Sequence, residues 1–231
     1  MNREMLLANG WVGLLAGAAL GAVAGMQIPA CARYIINNKC KKLSKPVPDG
    51  AAADRTTVLV TILSDAALSA LAAVSMRPAA AVAAFCILQV ALACVIVDRA
   101  IRIIANETVL LLLALGILFR ILSGGFSSLL GSLEALGLVT ALFAGSAALM
   151  AFLKGRPGVG AGDLKYAMAL SVAVGWPGVL HMLLCFAAAV LLYIFIGMKY
   201  RILTMNTYFP MCLHLSVGLL GGLFLPLFLA V

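Results

Sequence analysis

Long uninterrupted apolar stretches alternate with short polar breaks along this chain. Eight such stretches run roughly over Leu6–Ile28, Thr57–Ser75, Ala79–Val97, Thr108–Leu122, Leu133–Leu153, Leu164–Trp176, Val179–Met198 and Tyr208–Ala230. Most hold about 15 to 23 residues, the length with which a helix crosses a hydrocarbon core of roughly 30 Å. The fourth and sixth are the shortest, and segments of that size sit beside cavities or as re-entrant pieces more often than against lipid. A membrane β-barrel would show alternation over about ten residues per segment, and these stretches do not alternate. The first is too long for the apolar part of a cleavable signal and reads as a first transmembrane helix. The pattern predicts an all-α, polytopic membrane protein with about eight transmembrane helices. We divide it into a first helix (1–30), a short basic loop (31–56) and a membrane core of about seven helices (57–231). That loop carries Lys39, Lys41, Lys42 and Lys45, then Pro46, Pro48 and Gly50, which read as turn.

Composition agrees. Of 231 residues, 65% are hydrophobic and 10% charged, against about 25% charged in ordinary soluble domains. That is too little charge to cover a soluble enzyme and far too much apolar content for a disordered chain. The net charge of +8 invites a nucleic-acid reading, but Lys and Arg in a membrane protein gather in cytoplasmic loops. With the N-terminus outside, thirteen of the sixteen Lys and Arg fall in cytoplasmic segments, leaving Arg3, Arg77 and Arg120 outside. The expected topology is N-out and C-out with eight crossings, a lipid bilayer as partner and no nucleic acid. Four of six cysteines lie inside apolar stretches; Cys31 and Cys40 share the polar loop without CxxC spacing and cannot alone make a zinc site. We read both as solvent-facing thiols.

There are eight acids, so each can be weighed. Glu4, Asp49, Asp54 and Glu134 lie at ends or in loops, and Glu107 suits the N-terminal dipole of the fourth helix. Asp65, Asp98 and Asp163 remain, and an acid at membrane depth is a functional candidate by default. Asp98 ends the third helix and Asp163 begins the sixth. The crossing count puts both at the cytoplasmic end, as a split catalytic dyad requires. Glycines 155, 158, 160 and 162 lead up to Asp163, which permits close backbone approach. An ordinary helix-starting aspartate after a flexible loop reads the same way, and spacing leaves both open. Asp65 lies mid-helix after Ser64, either pairing inside the bundle or lining a site. His181 and His214 are isolated, without metal spacing, and read as interior histidines; Arg120 reads as snorkelling to the interface.

Two stretches carry a resemblance. Gly160-Ala161-Gly162-Asp163 is a GxGD tetrapeptide that Asp163-Leu164-Lys165 continues as GDxK, and the run to Gly175-Trp176 resembles the type IV prepilin peptidases. Asp98 is followed six residues on by Ile104-Ala105-Asn106, where that family has Ile-Pro-Asn. Tyr208-Phe209-Pro210 is similar to the start of the family's last helix. The first helix resembles the family's opening motif but lacks its Asn and Arg. Presenilin-type proteases share the tetrapeptide, but their Pro-Ala-Leu motif is absent here.

The resemblance implies a GxGD-type aspartic endopeptidase of the inner membrane, cutting the short leader from prepilins or pseudopilins at the cytoplasmic face. Asp98 and Asp163 would be its catalytic pair, with Gly160, Gly162, Lys165 and Asn106 supporting them and Asp65 as polar lining. Lys165 would tune the pair or snorkel. Cleavage would need no cofactor and no metal. The family's second activity, methylation of the new N-terminus with S-adenosylmethionine, goes with a larger first loop bearing two CxxC pairs. This loop is short, which leaves methylation open. Two rival readings stand beside the enzyme. A small ion-coupled transporter using intramembrane aspartates would show inverted repeats with broken helices, and none is visible. A non-catalytic assembly protein would have no use for paired acids.

Overall fold

The structure, a computed structural model, describes residues 3–44, 46–48, 54–155, 160–200 and 211–229. They form eight α-helices: α1 (Arg3–Lys42), α2 (Arg55–Ser75), α3 (Pro78–Ile101), α4 (Asn106–Gly124), α5 (Ser128–Lys154), α6 (Ala161–Val174), α7 (Gly178–Lys199) and α8 (Met211–Leu229). In lipid every backbone N–H and C=O needs an internal partner, and a helix supplies one for each. Seven helices are long and apolar enough to span a membrane; α6 is the exception. Leu63, Leu110, Leu191 and Phe195, on three different helices, leave most of their surface outside the protein, as side chains that meet lipid do.

Two boundaries differ from the sequence expectation. The fourth helix is not short: with 19 residues it reaches about 28 Å. The polar stretch after Ile28 is helix as far as Lys42 rather than loop from Cys31. Ile28, Ala32, Ile36 and Cys40 recur every fourth position and are buried against Ala93, Ile96 and Val97 of α3. This one-sided apolar stripe holds the basic extension as a helix. Cys40 is therefore buried, not solvent-facing, while Cys31 is exposed. The two thiols are nine residues apart on one helix, or about 13 Å along its axis, too far to share an ion.

Glycines set the helix spacing. On α1, a Cβ at Gly17 would meet the Ser69 carbonyl oxygen at 2.8 Å, one at Gly21 the Asp65 carbonyl oxygen at 2.5 Å, and one at Gly25 the Ile62 Cα at 2.8 Å. The falling partner numbers make α1 and α2 antiparallel, with backbones in direct contact along a small-residue stripe.

The contacts sort helix ends into two groups. At one end, α1 meets α4 through Lys39 and Glu107, α4 meets α6 through Asn106 and Lys165, and α3 meets α8 through Asp98 and Cys212. At the other, Arg120 of α4 donates to the Val174 and Ser128 carbonyls, and the Trp176 N–H donates to the Gly131 carbonyl. So α6 runs from one end of the bundle to the other despite its 14 residues, about 21 Å. It is the central helix, with Tyr166, Ala167, Leu170, Ser171 and Ala173 all buried.

Candidate active site

Asp98 occupies the last turn of α3, which ends when Arg102 adopts the left-handed conformation and its N–H closes on the Asp98 carbonyl. The Asp98 side chain is buried. Its Oδ2 accepts the Cys212 backbone N–H at 3.3 Å, so the first turn of α8 points free N–H groups and its positive dipole end at this carboxylate. Arg102 is within electrostatic reach of it as well.

Asp163 is the third residue of α6 after its cap, Gly160. Its carboxylate turns back to accept the Gly160 N–H, which is half of a capping box. A Cβ at Gly160 would lie 2.9 Å from Asp163 Oδ2. The first glycine of the tetrapeptide thus leaves room for the close approach of the carboxylate. Asp98 and Asp163 come within electrostatic reach of each other, across 65 residues of sequence.

The two sequence motifs meet through their other members. A Cβ at Gly162 would pack on Ile104 at 3.5 Å. Lys165 Nζ donates to Asn106 Oδ1 at 3.3 Å, at an exposed position. Gly160 thus touches the Asp163 carboxylate, Gly162 faces Ile104, and Lys165 and Asn106 pair with each other at the same end of the bundle. Asp65 is not at that end. It is buried between α1, α2 and α3, where Gln89 Nε2 donates to its Oδ1 at 2.6 Å and Ser69 Oγ at 3.3 Å. Gln89 precedes Asp98 by nine residues on α3, about 13 Å away along the axis. Of the two readings of Asp65, pairing within the bundle is the one its contacts fit.

Sequence reasoning missed two features. Arg120 does not snorkel outward: its guanidinium lies on Gly175, whose φ of +66° leaves no room for a side chain there, and it donates to the carbonyl at the C-terminus of α6. His214, read from the sequence as an interior histidine, is indeed buried, with its ring edge-on to Tyr193. The second missed feature is a relay behind the aspartates. The fully buried Tyr166, one turn beyond Asp163, shares a 2.8 Å hydrogen bond with Ser216 of α8. Ser216 Oγ in turn donates to the Cys212 carbonyl at 2.9 Å, and the Cys212 N–H reaches Asp98. A rigid path thus joins the helix of one aspartate to the partner of the other. Tyr166→Phe removes one hydrogen bond from it, and the activity of the site should fall roughly three- to tenfold, the rate equivalent of one such bond. Ser216→Ala should give a similar loss, and the double variant no further one, in matched steady-state assays. The family-like Tyr208-Phe209-Pro210, the residues 156–159 before the tetrapeptide, and Gly50 lie outside the described residues.

Compared with known families, residues 83–198, half of the chain, match the model of the type IV leader peptidase family. The chain belongs to that family. The matched residues of this leader peptidase run from α3 to α7 and include Asp98, Asn106, the GxGD tetrapeptide and Lys165. The family makes it a leader-peptidase-like protease, in a chain whose apolar helices make it a multi-pass membrane protein. No curated protein and no solved structure matches the chain.

Proposed function

We propose that this leader peptidase removes the short N-terminal leader of prepilins or pseudopilins, using Asp98 and Asp163 as a water-activating pair at the cytoplasmic end of the bundle. The support for the reading is that Asp98 ends α3 and Asp163 begins α6 at one end of the bundle, within electrostatic reach of each other. Two carboxylates held together share one proton more cheaply than they carry two charges. The ionised one takes a proton from water as the water attacks the scissile carbonyl. The protonated one polarises that carbonyl and passes its proton to the leaving amine. The pair acts as a unit, so neither residue is assigned base or acid alone. Next to Lys165 and Asn106 a cleft of about 390 Å³ is walled by Leu110, Leu113, Leu136 and Met168. Such walls suit the hydrophobic segment that follows a leader.

No cofactor is needed for these steps. Because α1 continues to Lys42, only residues 43–54 connect it to α2. Twelve residues make no separate cofactor-binding unit, so the fit to S-adenosylmethionine is poor and no step runs through it. Purified protein in vesicles, given a prepilin, should yield a product cut before its hydrophobic segment with a free, unmethylated amine by mass spectrometry. Uncut prepilin under those conditions would contradict the proposal.

The orientation follows from charge. Lys39, Lys41, Lys42, Arg102 and Lys165 cluster at the aspartate end, while Arg77 and Arg120 mark the other. An impermeant thiol reagent should miss Asn38→Cys in intact cells and label Ser127→Cys, both exposed positions. The reverse pattern would invert the topology. Cys40, being buried, cannot serve as that reporter.

A further inference from the structure

At the end of the bundle away from Asp98 and Asp163 there is a cavity of about 450 Å³ between α2, α3, α4, α7 and α8. Its size falls in the range of roughly 300–1,000 Å³ common for ligand pockets. Two arginines line it, Arg77 and Arg120, and among the described residues no carboxylate does. Among the described residues both ion pairs are made by Glu107, at the opposite end. Arg77 is exposed at the start of α3. Arg120 spends two donors on the Val174 and Ser128 carbonyls, and its buried Nε–H has no hydrogen-bond partner. Two cations in a pocket with no counter-charge among the described residues call for an anion. The rest of the wall is apolar, with Phe119, Leu223, Leu227 and the half-exposed Trp176, a tryptophan placed as at a membrane interface.

We propose that this cavity binds an anionic phospholipid, its phosphate between Arg77 and Arg120 and its acyl region along Phe119, Leu223 and Leu227. A free phosphate shares the charge but not the apolar contacts. The lipid occupies the junction of α6 and α7 with α4, at the far end of the helix that carries Asp163.

Trp176 is the reporter. In a Trp11→Phe background it is the one tryptophan left, since the chain has two. The full-length protein in mixed micelles is titrated with brominated phosphatidylglycerol or brominated phosphatidylcholine of the same acyl chains. Quenching should favour phosphatidylglycerol by roughly fivefold or more, the preference that one basic side chain near a lipid phosphate supports. Arg77→Gln should bring the ratio close to one and Arg77→Lys should keep it. Unbrominated phosphatidylglycerol should relieve the quenching where phosphatidylcholine does not, a readout that needs no arginine variant. Equal quenching by the two lipids, or a preference untouched by Arg77→Gln, would overturn the proposal. Inorganic phosphate, compared with sodium chloride at equal ionic strength, should leave the preference in place; if it abolished it, the site would be one for free anions and the lipid assignment would fall.

Discussion

Asp98→Asn and Asp163→Asn should each abolish leader cleavage while the protein still inserts and folds. An amide keeps the shape of the carboxyl but can neither take up nor pass on the proton that the reaction moves. The expected loss is at least the roughly 10²–10⁴-fold typical of removing a general acid or base. Both replacements should be tolerated by the fold. The amide that replaces Asp98 retains an oxygen for the Cys212 N–H, and the one that replaces Asp163 retains an oxygen for the Gly160 N–H. Asp65→Asn is the comparison. It lies about 13 Å deeper along α3 by the Gln89 register, and its contacts to Gln89 and Ser69 are made through one oxygen that the amide preserves. Its cleavage rate should stay far closer to that of the parent.

The second large effect is on stability. Gly21→Ala should destabilise the protein by about 1–3 kcal/mol and Gly21→Leu by more, as overpacking does in a close-packed interface. The Cβ would lie 2.5 Å from the Asp65 carbonyl oxygen and 2.8 Å from the Ala66 Cα. These are backbone atoms, so α1 and α2 must part for it. Gly137→Ala on α5 is the control, since a Cβ there meets nothing within 4 Å. It should leave stability unchanged or raise it slightly through helix propensity. Thermal unfolding in one detergent compares the three. Equal midpoints for Gly21→Ala and Gly137→Ala would mean that the α1–α2 contact is looser than described.

Much of the site was legible because topology is a matter of parity. Counting crossings was enough to bring the end of α3 and the start of α6 to one side, whatever the exact helix bounds. The motifs also named Lys165 and Asn106, which hydrogen-bond to each other at that end. What stayed hidden has physical causes. Lysines and prolines made residues 31–56 look like loop, yet Ile28, Ala32, Ile36 and Cys40 recur at helical spacing, and that stripe was the available signal. The length of α6 gave no sign that it would be the central helix, because a buried helix need not match the hydrocarbon thickness. Arg120 looked like an anchor since its charge was weighed against lipid, when the C-terminal carbonyls of α6 offered it a nearer partner. The Tyr166–Ser216 bond joins residues 50 apart, and no local pattern encodes a contact of that range.

The claim at the centre is that Asp98 and Asp163 work as one unit, and the rate of leader release by the double variant tests it most directly. Parent, Asp98→Asn, Asp163→Asn and the double variant are reconstituted at matched amounts, and the product is quantified by mass spectrometry in each. Residues that act together are non-additive, so the double variant should be no slower than either single one, and all three should sit near the uncatalysed background. Near-parental release by either single variant, or two partial losses that multiply in the double, would contradict a shared-proton pair.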